Sequence, residues 1–248
     1  MLNSSDVTII MPSYKEDPQV VMKTYCEMAS YGFKVIIVDD GGGLDLPIDD
    51  FYVISYPANM GYGYALKQGI KHADTEIVMT CDSDGQHSAS DAKKLYEVFK
   101  LIDNCAMLVG CRWNLKEVWY RWFFRKIINF IASCWTKHFM QDLNSGMRIF
   151  RKDLAIGYSE ILCDTFSFTT SFTICLVADN HKVAWFPIDV KDRACGKSHV
   201  SLLRDGFITV WYIFYIGFAL RTRGIRKMFR SFFDSSQRSG VSNGLDNK

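Results

Sequence analysis

The chain has 248 residues, of which 48% are hydrophobic and 23% are charged. These values are typical of a folded globular protein and exclude a disordered or low-complexity chain. Lysine and arginine total 29 against 27 acidic residues, and the net charge of +2 argues against a nucleic-acid partner. The eight cysteines include no CxxC pair, so we expect reduced thiols rather than a zinc site or a disulfide framework.

The first 110 residues alternate between short apolar runs and segments with helical spacing. The pattern predicts strands at residues 7–11, 34–38, 52–54, 76–80 and 106–109, with helices after the first, third and fourth. Such alternation with continuous apolar strands predicts an α/β fold with a mainly parallel sheet covered on both faces. Because ligands of these sheets bind beyond the carboxyl ends of the strands, we expect the chemistry at that edge.

Aromatic and basic residues are mixed in the second half of the chain. Residues 117–138 have helical spacing and combine many aromatic side chains with arginine and lysine, a composition that favours a membrane interface. Residues 206–220 form an uncharged run of fifteen, shorter than the about 20 residues of a membrane-spanning helix, and five basic residues follow it. A core helix with a solvated tail stays open as the alternative for this run.

These patterns divide the chain into three parts. We expect a catalytic domain over residues 1–200 that includes the interface helix 117–139, membrane-associating apolar and basic helices over 201–233, and a disordered tail over 234–248. No secretory signal pattern is present at the start of the sequence. We therefore expect a peripheral or monotopic protein on the cytoplasmic side of a membrane, held there by these helices or by a membrane protein partner.

Carboxylates follow two of the predicted strands. Asp82 and Asp84 lie two residues apart on a turn, where hard carboxylate oxygens suit Mg²⁺ and Mn²⁺ alike. Asp-rich turns also cap helices, and Ser88 is placed to cap the next one, so the spacing leaves both interpretations open. The turn also predicts that Asp84 lies at the surface. Asp39 and Asp40 end the second strand, where carboxylates bind ribose or base groups or simply face solvent.

Short motifs occur along the chain in an order that resembles the family 2 glycosyltransferases. They are found at residues 12–16, 38–41, 59–69, 82–87, 110–112, 142–148 and 193–199. The resemblance covers roughly residues 6–215 and is nearest to the dolichol-phosphate mannose synthases and other polyprenyl-phosphate glycosyltransferases. It implies a GT-A fold, which is a Rossmann-like nucleotide-diphospho-sugar transferase fold.

The resemblance implies a GDP- or UDP-linked sugar as the donor. The residues that it places on the nucleotide-sugar are Pro12, Tyr14, Glu16, Asp39, Asp40, Lys67 and Asp82. The residues that it places on Mg²⁺ or Mn²⁺ and the diphosphate are Asp82, Asp84 and Gln86. A divalent cation there would stabilise the negative charge that develops on the leaving nucleoside diphosphate.

The resemblance also implies a polyprenyl or dolichyl phosphate as the acceptor. Its phosphate would be held by Arg112, Arg125, Arg193 and Lys197, and the three arginines together with Asp84 would be the catalytic residues. Arginine suits this task because its planar guanidinium donates two parallel hydrogen bonds to phosphate oxygens.

The acceptor's chemistry decides whether a general base is needed. A lipid phosphate is already ionised and attacks the anomeric carbon directly with inversion, whereas a hydroxyl acceptor needs a carboxylate base. Residues 165–172 contain no carboxylate where the related synthases commonly have Glu, and the nearest candidates are Asp142 and Asp164. We therefore expect a phosphate acceptor. A hydroxyl acceptor in surface polysaccharide or glycolipid assembly and an inactive nucleotide-sugar-binding scaffold stay open as alternatives.

Overall fold

A computed structural model describes residues 4–47, 51–114, 119–191, 209–216 and 218. In chain order its elements are β1 (Val7–Ser13), α1 (Pro18–Ser30), β2 (Lys34–Asp40), β3 (Val53–Tyr56), α2 (Tyr62–His72), β4 (Ile77–Thr80), α3 (Ala89–Leu101), β5 (Cys105–Arg112), α4 (Trp119–Thr136), β6 (Arg148–Arg151), α5 (Lys152–Tyr158), α6 (Phe168–Ala178) and β7 (Lys182–Ile188).

The strands described in the structure form one sheet in the order β3-β2-β1-β4-β6-β5-β7. β6 runs antiparallel to β4 and β5, and the other neighbouring pairs are parallel. The prediction of a mainly parallel sheet is therefore confirmed, although β6 and β7 are additional to the predicted strands. β7 lies at the edge of the sheet, where Pro187 is tolerated because edge strands leave N–H positions unpaired.

Helices cover both faces of the sheet, as the continuous apolar strands require. Consecutive strand residues point to opposite faces. Thus Ile9 of β1 is buried in the cluster with α1 and α3, while Ile10 is buried in the cluster with α2, α5 and α6. The second cluster also contains Ile128 of α4 and Ile213 of the helical segment 209–216.

Local sequence signals explain where several helices begin. Asp17 caps α1 by accepting a hydrogen bond from the backbone N of Gln19 at 2.8 Å, and Pro18 occupies the first helical position. Ser88 caps α3 by accepting from the backbone N of Asp91 at 3.2 Å. The predicted capping role of Ser88 is therefore confirmed.

The topology brings the predicted site segments to one edge of the sheet. β1, β2, β4 and β5 point the same way, so their carboxyl ends meet, and the antiparallel β6 begins at that edge with Arg148 paired to Thr80. Residues 12–16, 39–43 and 82–87 lie there together with the 142–147 segment that precedes β6.

The predicted C-terminal parts fall largely on residues that the structure does not describe. Of the expected membrane-associating helices at 201–233, the described residues are 209–216, which are helical, and 218; the expected tail at 234–248 lies outside the described residues. In the described part of the chain, no helix is both long enough and apolar enough to cross a membrane.

Candidate active site

The turn after β4 is folded back against the end of β1. Ser83 Oγ donates a hydrogen bond to the carbonyl O of Pro12 at 2.8 Å, and Oδ1 of Asp84 accepts one from the backbone N of Gln86 at 3.1 Å. Gly85 adopts a positive φ of 76°, which favours glycine. Asp84 is only 3% exposed, so the prediction that it lies at the surface is wrong. The reason is that Ser83 draws the turn onto β1.

Asp82 lies beside His87 of its own motif and beside two residues of other motifs, Tyr62 and Gly146. Its Oδ1 accepts a hydrogen bond from the Tyr62 hydroxyl at 3.0 Å, and its Oδ2 is 3.6 Å from Nε2 of His87. A Cβ on Gly146 would lie 2.1 Å from Oδ2, so only glycine fits at that position. Burial acts to raise the pKa of Asp82, but His87 and the Tyr62 hydrogen bond hold it below its ordinary value. The carboxylate is therefore ionised at neutral pH.

The donor atoms of this turn suit a divalent cation. Asp82 and Asp84 supply carboxylate oxygens, and Gln86 adds an amide whose Nε2 donates to the carbonyl O of Lys191 at 3.2 Å. Within the described ranges, no group of three or more His, Cys, Asp and Glu side chains is arranged to hold a metal ion. Mg²⁺ is often held by one or two carboxylates and completed by substrate phosphates, and this donor set fits that arrangement.

Asp39 shapes the corner between β1 and β2. Its Oδ1 accepts from the backbone N of Gly42 at 2.9 Å and its Oδ2 from that of Leu44 at 3.0 Å. A Cβ on Gly42 would lie 2.7 Å from the backbone N of Lys15, so the loops after β1 and β2 are in close contact here. Tyr14 is half-buried in the same loop, and Nζ of Lys15 is 5.1 Å from the Tyr14 ring centroid. The predicted base and ribose contacts thus share one corner of the sheet edge.

Asp40 holds the loop that leads into α2. It accepts hydrogen bonds from the backbone N of Met60 at 2.7 Å and of Gly61 at 2.8 Å, and it is 2% exposed. Gly61 has a φ of 111°, and a Cβ there would lie 2.4 Å from the carbonyl O of Asp164. Asp40 therefore fixes the start of α2 against residues 163–165, next to the Tyr62 that contacts Asp82.

Lys67 of α2 contacts the segment before α6. Its Nζ donates to the carbonyl O of Leu162 at 2.6 Å and to Oδ1 of Asp164 at 2.8 Å. These bonds tie α2 to the segment before α6. The ammonium group has three donors and uses two of them here, so its predicted contact with the nucleotide-sugar stays a prediction.

Arg112, the last residue of β5, is clamped by Asp142. Its Nε donates to Oδ2 of Asp142 at 2.9 Å, its Nη2 to Oδ1 at 2.8 Å, and its backbone N to Oδ2 at 3.2 Å. Burial acts to raise the pKa of Asp142, but the charges of Arg112 and of Arg125 on α4 hold it below its ordinary value. The side chain of Arg112 is 19% exposed and that of Asp142 is 3% exposed. The guanidinium therefore faces the site from a fixed position.

Arg148 is a buried cation. It belongs to the 142–148 motif, and the sequence prediction assigns it no role. It is 0% exposed. Its Nη1 donates to the carbonyl O of Thr169 and to Oγ1 of Thr173, both at 2.7 Å, and its Nη2 donates to the carbonyl O of Leu143 at 2.7 Å. Burial lowers the pKa of Arg148 to about 10, so the side chain stays charged at neutral pH and joins the 142–147 segment to α6.

Aromatic side chains are exposed on α4 and on a neighbouring segment, residues 209–216 and 218. The two meet where the rings of Trp135 and Phe214 pack edge to face with centroids 5.3 Å apart. The exposed aromatic residues on α4 are Trp119, Tyr120, Trp122, Phe123, Phe124, Phe130 and Trp135, and those on the segment are Trp211, Phe214, Tyr215 and Phe218. Exposed aromatic side chains grouped in this way are typical of an interaction surface.

The structure brings most of the predicted site residues together. Pro12, Tyr14, Glu16, Asp39, Asp40, Asp82, Asp84, Gln86 and Arg112 lie at the carboxyl edge of the sheet. Arg125 acts electrostatically on Asp142 from α4, whereas Arg193 and Lys197 lie outside the described residues. The prediction did not include Tyr62 or Gly146 in the site, although both lie within quoted motifs.

Comparison with known proteins identifies the family of the chain. Residues 8–158 match the family described as Glycosyl transferase family 2. An uncharacterised protein of Methanocaldococcus jannaschii is 27% identical over 203 residues, which cover 75% of this chain and 82% of that protein. The undecaprenyl-phosphate 4-deoxy-4-formamido-L-arabinose transferase of Enterobacter sp. (strain 638) is 21% identical over 213 residues, which cover 80% of this chain and 63% of the transferase. The chain thus spans less than two thirds of that transferase.

Solved structures support the same fold. The glucosyl-3-phosphoglycerate synthase of Mycobacterium tuberculosis, crystallised with Mn²⁺, uridine diphosphate and glucosyl-3-phosphoglycerate, superposes with a TM-score of 0.68 at 12% identity, covering 85% of this chain and 79% of the synthase. The likeness confirms the predicted GT-A-like α/β fold. The family match, which covers more than half of the residues, shows that the chain belongs to glycosyl transferase family 2 and is a glycosyltransferase.

Proposed function

We propose that the protein transfers a sugar from a GDP- or UDP-linked donor to a polyprenyl phosphate by inverting direct displacement, with Mg²⁺ or Mn²⁺. The observation that carries the proposal is the setting of Arg112. This guanidinium lies at the sheet edge with Asp82, and Asp142 holds it in a fixed orientation. The loop that carries Asp142 is in turn bonded to α4, the helix with the exposed aromatic side chains. These contacts support a phosphate-binding role for Arg112 beside a surface suited to lipid.

The donor side is built from the turn after β4 and the corner at Asp39. Asp82, Asp84 and Gln86 would hold the cation, which supplies positive charge to the leaving diphosphate. Tyr62 orients the Asp82 carboxylate through its hydroxyl. The solved synthase named above contains Mn²⁺ and uridine diphosphate, which supports a divalent cation and a nucleotide donor in this fold.

The acceptor side favours a phosphate over a hydroxyl. A carboxylate base for a hydroxyl acceptor must be available to take a proton. Asp142 is bound bidentately to Arg112 and its pKa is held low, so it is a poor base, and Asp164 is engaged in an ion pair with Lys67. An ionised phosphate needs no base, and the Enterobacter relative is by its name a transferase that acts with undecaprenyl phosphate. Arg125 is proposed to share the phosphate with Arg112, together with Arg193 and Lys197.

The aromatic surface is proposed to hold the enzyme at the membrane that contains its acceptor. Tryptophan and phenylalanine side chains lie in the headgroup region when basic residues flank them, and Lys126 lies over the ring of Trp122 at 5.9 Å. We assign this role to α4 and to residues 201–233, with the catalytic residues facing the cytoplasm. The protein is then peripheral or monotopic.

Transfer of labelled sugar tests the proposal. The full-length protein is incubated with radiolabelled GDP- and UDP-sugars, polyprenyl phosphate and Mg²⁺ or Mn²⁺. We expect label in the organic phase that mild acid releases as free sugar. Metal-dependent donor binding or hydrolysis without a lipid product would overturn the proposed acceptor and favour a hydroxyl acceptor. Absence of donor binding at any metal concentration would overturn the enzyme mechanism as a whole.

A further inference from the structure

We propose that Asn129 and Ser133 of α4 are positioning residues for the acceptor phosphate, acting on Arg112 through Asp142. The inference rests on the proposed function because it takes the acceptor to be a lipid phosphate. It assigns to α4 a second role beyond presenting its aromatic side chains. The helix sets the orientation of the guanidinium that binds the phosphate.

Asn129 holds the backbone on both sides of Asp142. Its Nδ2 donates to the carbonyl O of Gln141, and its Oδ1 accepts from the backbone N of Leu143 at 3.4 Å. Asn129 is 5% exposed. Both ends of the side-chain amide are therefore directed at the loop, and the residue between the two bonded positions is Asp142.

Ser133 adds a second attachment one turn further along α4. Its Oγ donates to the carbonyl O of Asn129 at 2.7 Å and accepts from the backbone N of Met140 at 3.0 Å. Asn129 and Ser133 thus bind residues 140–143 at three backbone groups. Two of these groups, the backbone N–H groups of Met140 and Leu143, belong to buried residues, and losing their partners would leave them unsatisfied. This arrangement of the loop is therefore preferred.

Asp142 passes this constraint to Arg112. The carboxylate binds Nε and Nη2 of the guanidinium in parallel and also accepts from the backbone N of Arg112. An arginine in solution samples many rotamers, and a side chain held in its binding orientation before the ligand arrives binds more tightly. We therefore expect loss of the Asn129 or Ser133 bonds to weaken acceptor binding and to leave the donor corner at Asp39 unaffected.

This expectation is tested in the full-length enzyme by measuring the Michaelis constants for the acceptor and for the donor separately. Asn129→Ala should raise the KM for polyprenyl phosphate roughly tenfold, with the KM for the nucleotide-sugar changed less than about twofold. Ser133→Ala should act in the same direction and Ser133→Thr, which keeps the hydroxyl, should restore the wild-type value. Cys134→Ala serves as the control because Cys134 is exposed on the same helix. Equal increases in both constants would overturn the proposal.

The Nε–H resonance of Arg112 gives a second readout that needs no acceptor. The resonance is identified in ¹⁵N-resolved spectra because it disappears in Arg112→Lys. The rate at which this proton exchanges with water is then compared between variants. We expect exchange to rise at least about tenfold in Asn129→Ala and in Ser133→Ala, since the Asp142 contact loosens. An unchanged exchange rate would overturn the positioning role. If the wild-type enzyme forms no lipid product, the proposed function fails, while this resonance still decides whether α4 positions Arg112.

Discussion

The Tyr62 hydroxyl donates a hydrogen bond to Oδ1 of Asp82 at 3.0 Å, and this bond joins α2 to the turn after β4. The Tyr62 ring stacks on Phe166 with centroids 5.2 Å apart and planes 17° from parallel. Burial, and then the nearby Asp82 charge, raise the pKa of Tyr62 well above its ordinary value, so the hydroxyl stays protonated and remains a donor. One aromatic side chain thereby orients a carboxylate of the proposed cation site and contacts the segment before α6.

Replacing Tyr62 with phenylalanine should slow turnover without unfolding the protein. The ring and its stacking are kept, and the hydrogen bond to Asp82 is lost. We expect kcat to fall roughly tenfold and the Mn²⁺ concentration for half-activation to rise, since partners that orient metal ligands affect both. Tyr64→Phe is the matched control, because the Tyr64 ring packs against Tyr56 instead, at 5.4 Å. Equal activity in Tyr62→Phe and the wild type would contradict this role.

Gly146→Ala should displace the Asp82 carboxylate by direct steric contact. The added Cβ would lie 2.1 Å from Oδ2 of Asp82, a distance that real Cβ atoms do not show, so Asp82 must move. We expect activity to drop at least about a hundredfold, since misplaced catalytic groups of this kind cost that much. Gly157→Ala is the control because a Cβ there meets nothing within 4 Å in α5. It should keep full activity and raise the free energy of unfolding by roughly 0.5 to 1 kcal/mol.

The pair of Asp142 and Arg112 should make stability depend on pH in a defined direction. The pKa of Asp142 in the folded protein lies below its ordinary value of 3.8, so its contribution is complete above that pH and is lost as the pH falls through the folded pKa. Asp142→Asn should therefore lower the free energy of unfolding by about 1 to 3 kcal/mol at pH 7. Urea titrations at pH 7 and pH 3 provide the measurement. If the free energies of unfolding of wild type and variant differ more at pH 3 than at pH 7, the predicted direction of the pH dependence is contradicted.

The aromatic surface of α4 should govern binding to anionic vesicles. Trp122 is 50% exposed and Phe130 is 69% exposed, so serine at both positions removes apolar contacts with lipid and leaves the core intact. We expect the partition coefficient in a sedimentation assay to fall at least about tenfold, given about 1.5 to 3 kcal/mol for each buried large side chain. Leu101→Ser is the control because Leu101 is 81% exposed at the end of α3. An equal loss in the control would point to a nonspecific effect.

Substitutions test membrane binding better than truncation. Ile213 and Ile216 are buried in the same apolar cluster as Ile128 of α4 and Phe172 of α6. Deleting the chain from residue 206 would expose that cluster to water. A loss of membrane binding could then not be distinguished from a loss of folding. The exposed face of α4 avoids this difficulty because its side chains do not contribute to the core.

The fold is predictable where the strands are continuous apolar runs. The sequence predicts strands that begin at residues 7 and 34, and β1 and β2 begin there. β6 is not predicted because it has four residues and carries arginine at both ends. So short a segment shows no alternation of apolar and polar residues that would indicate a strand. The burial of Arg148 is equally invisible in the sequence, since it depends on carbonyl groups of residues 143 and 169.

The candidate site is predictable in its residue types but not in its pairings. Carboxylates after strands indicate where Asp82 and Asp84 lie, because strand ends meet at one edge. The sequence leaves Asp142 as a candidate base, and only the structure shows that Arg112, thirty positions away, binds it. The surface prediction for Asp84 fails for a similar reason, because the bond from Ser83 to Pro12 spans 71 positions.

Transfer of the sugar to the lipid phosphate is tested most directly by the phosphorus spectrum of the acceptor. Wild-type protein, nucleotide-sugar, divalent cation and polyprenyl phosphate are incubated and followed by ³¹P NMR. We predict that the phosphomonoester signal of the lipid is replaced by a phosphodiester signal, with one nucleoside diphosphate released for each. Release of nucleoside diphosphate with the lipid monoester signal unchanged would contradict the account.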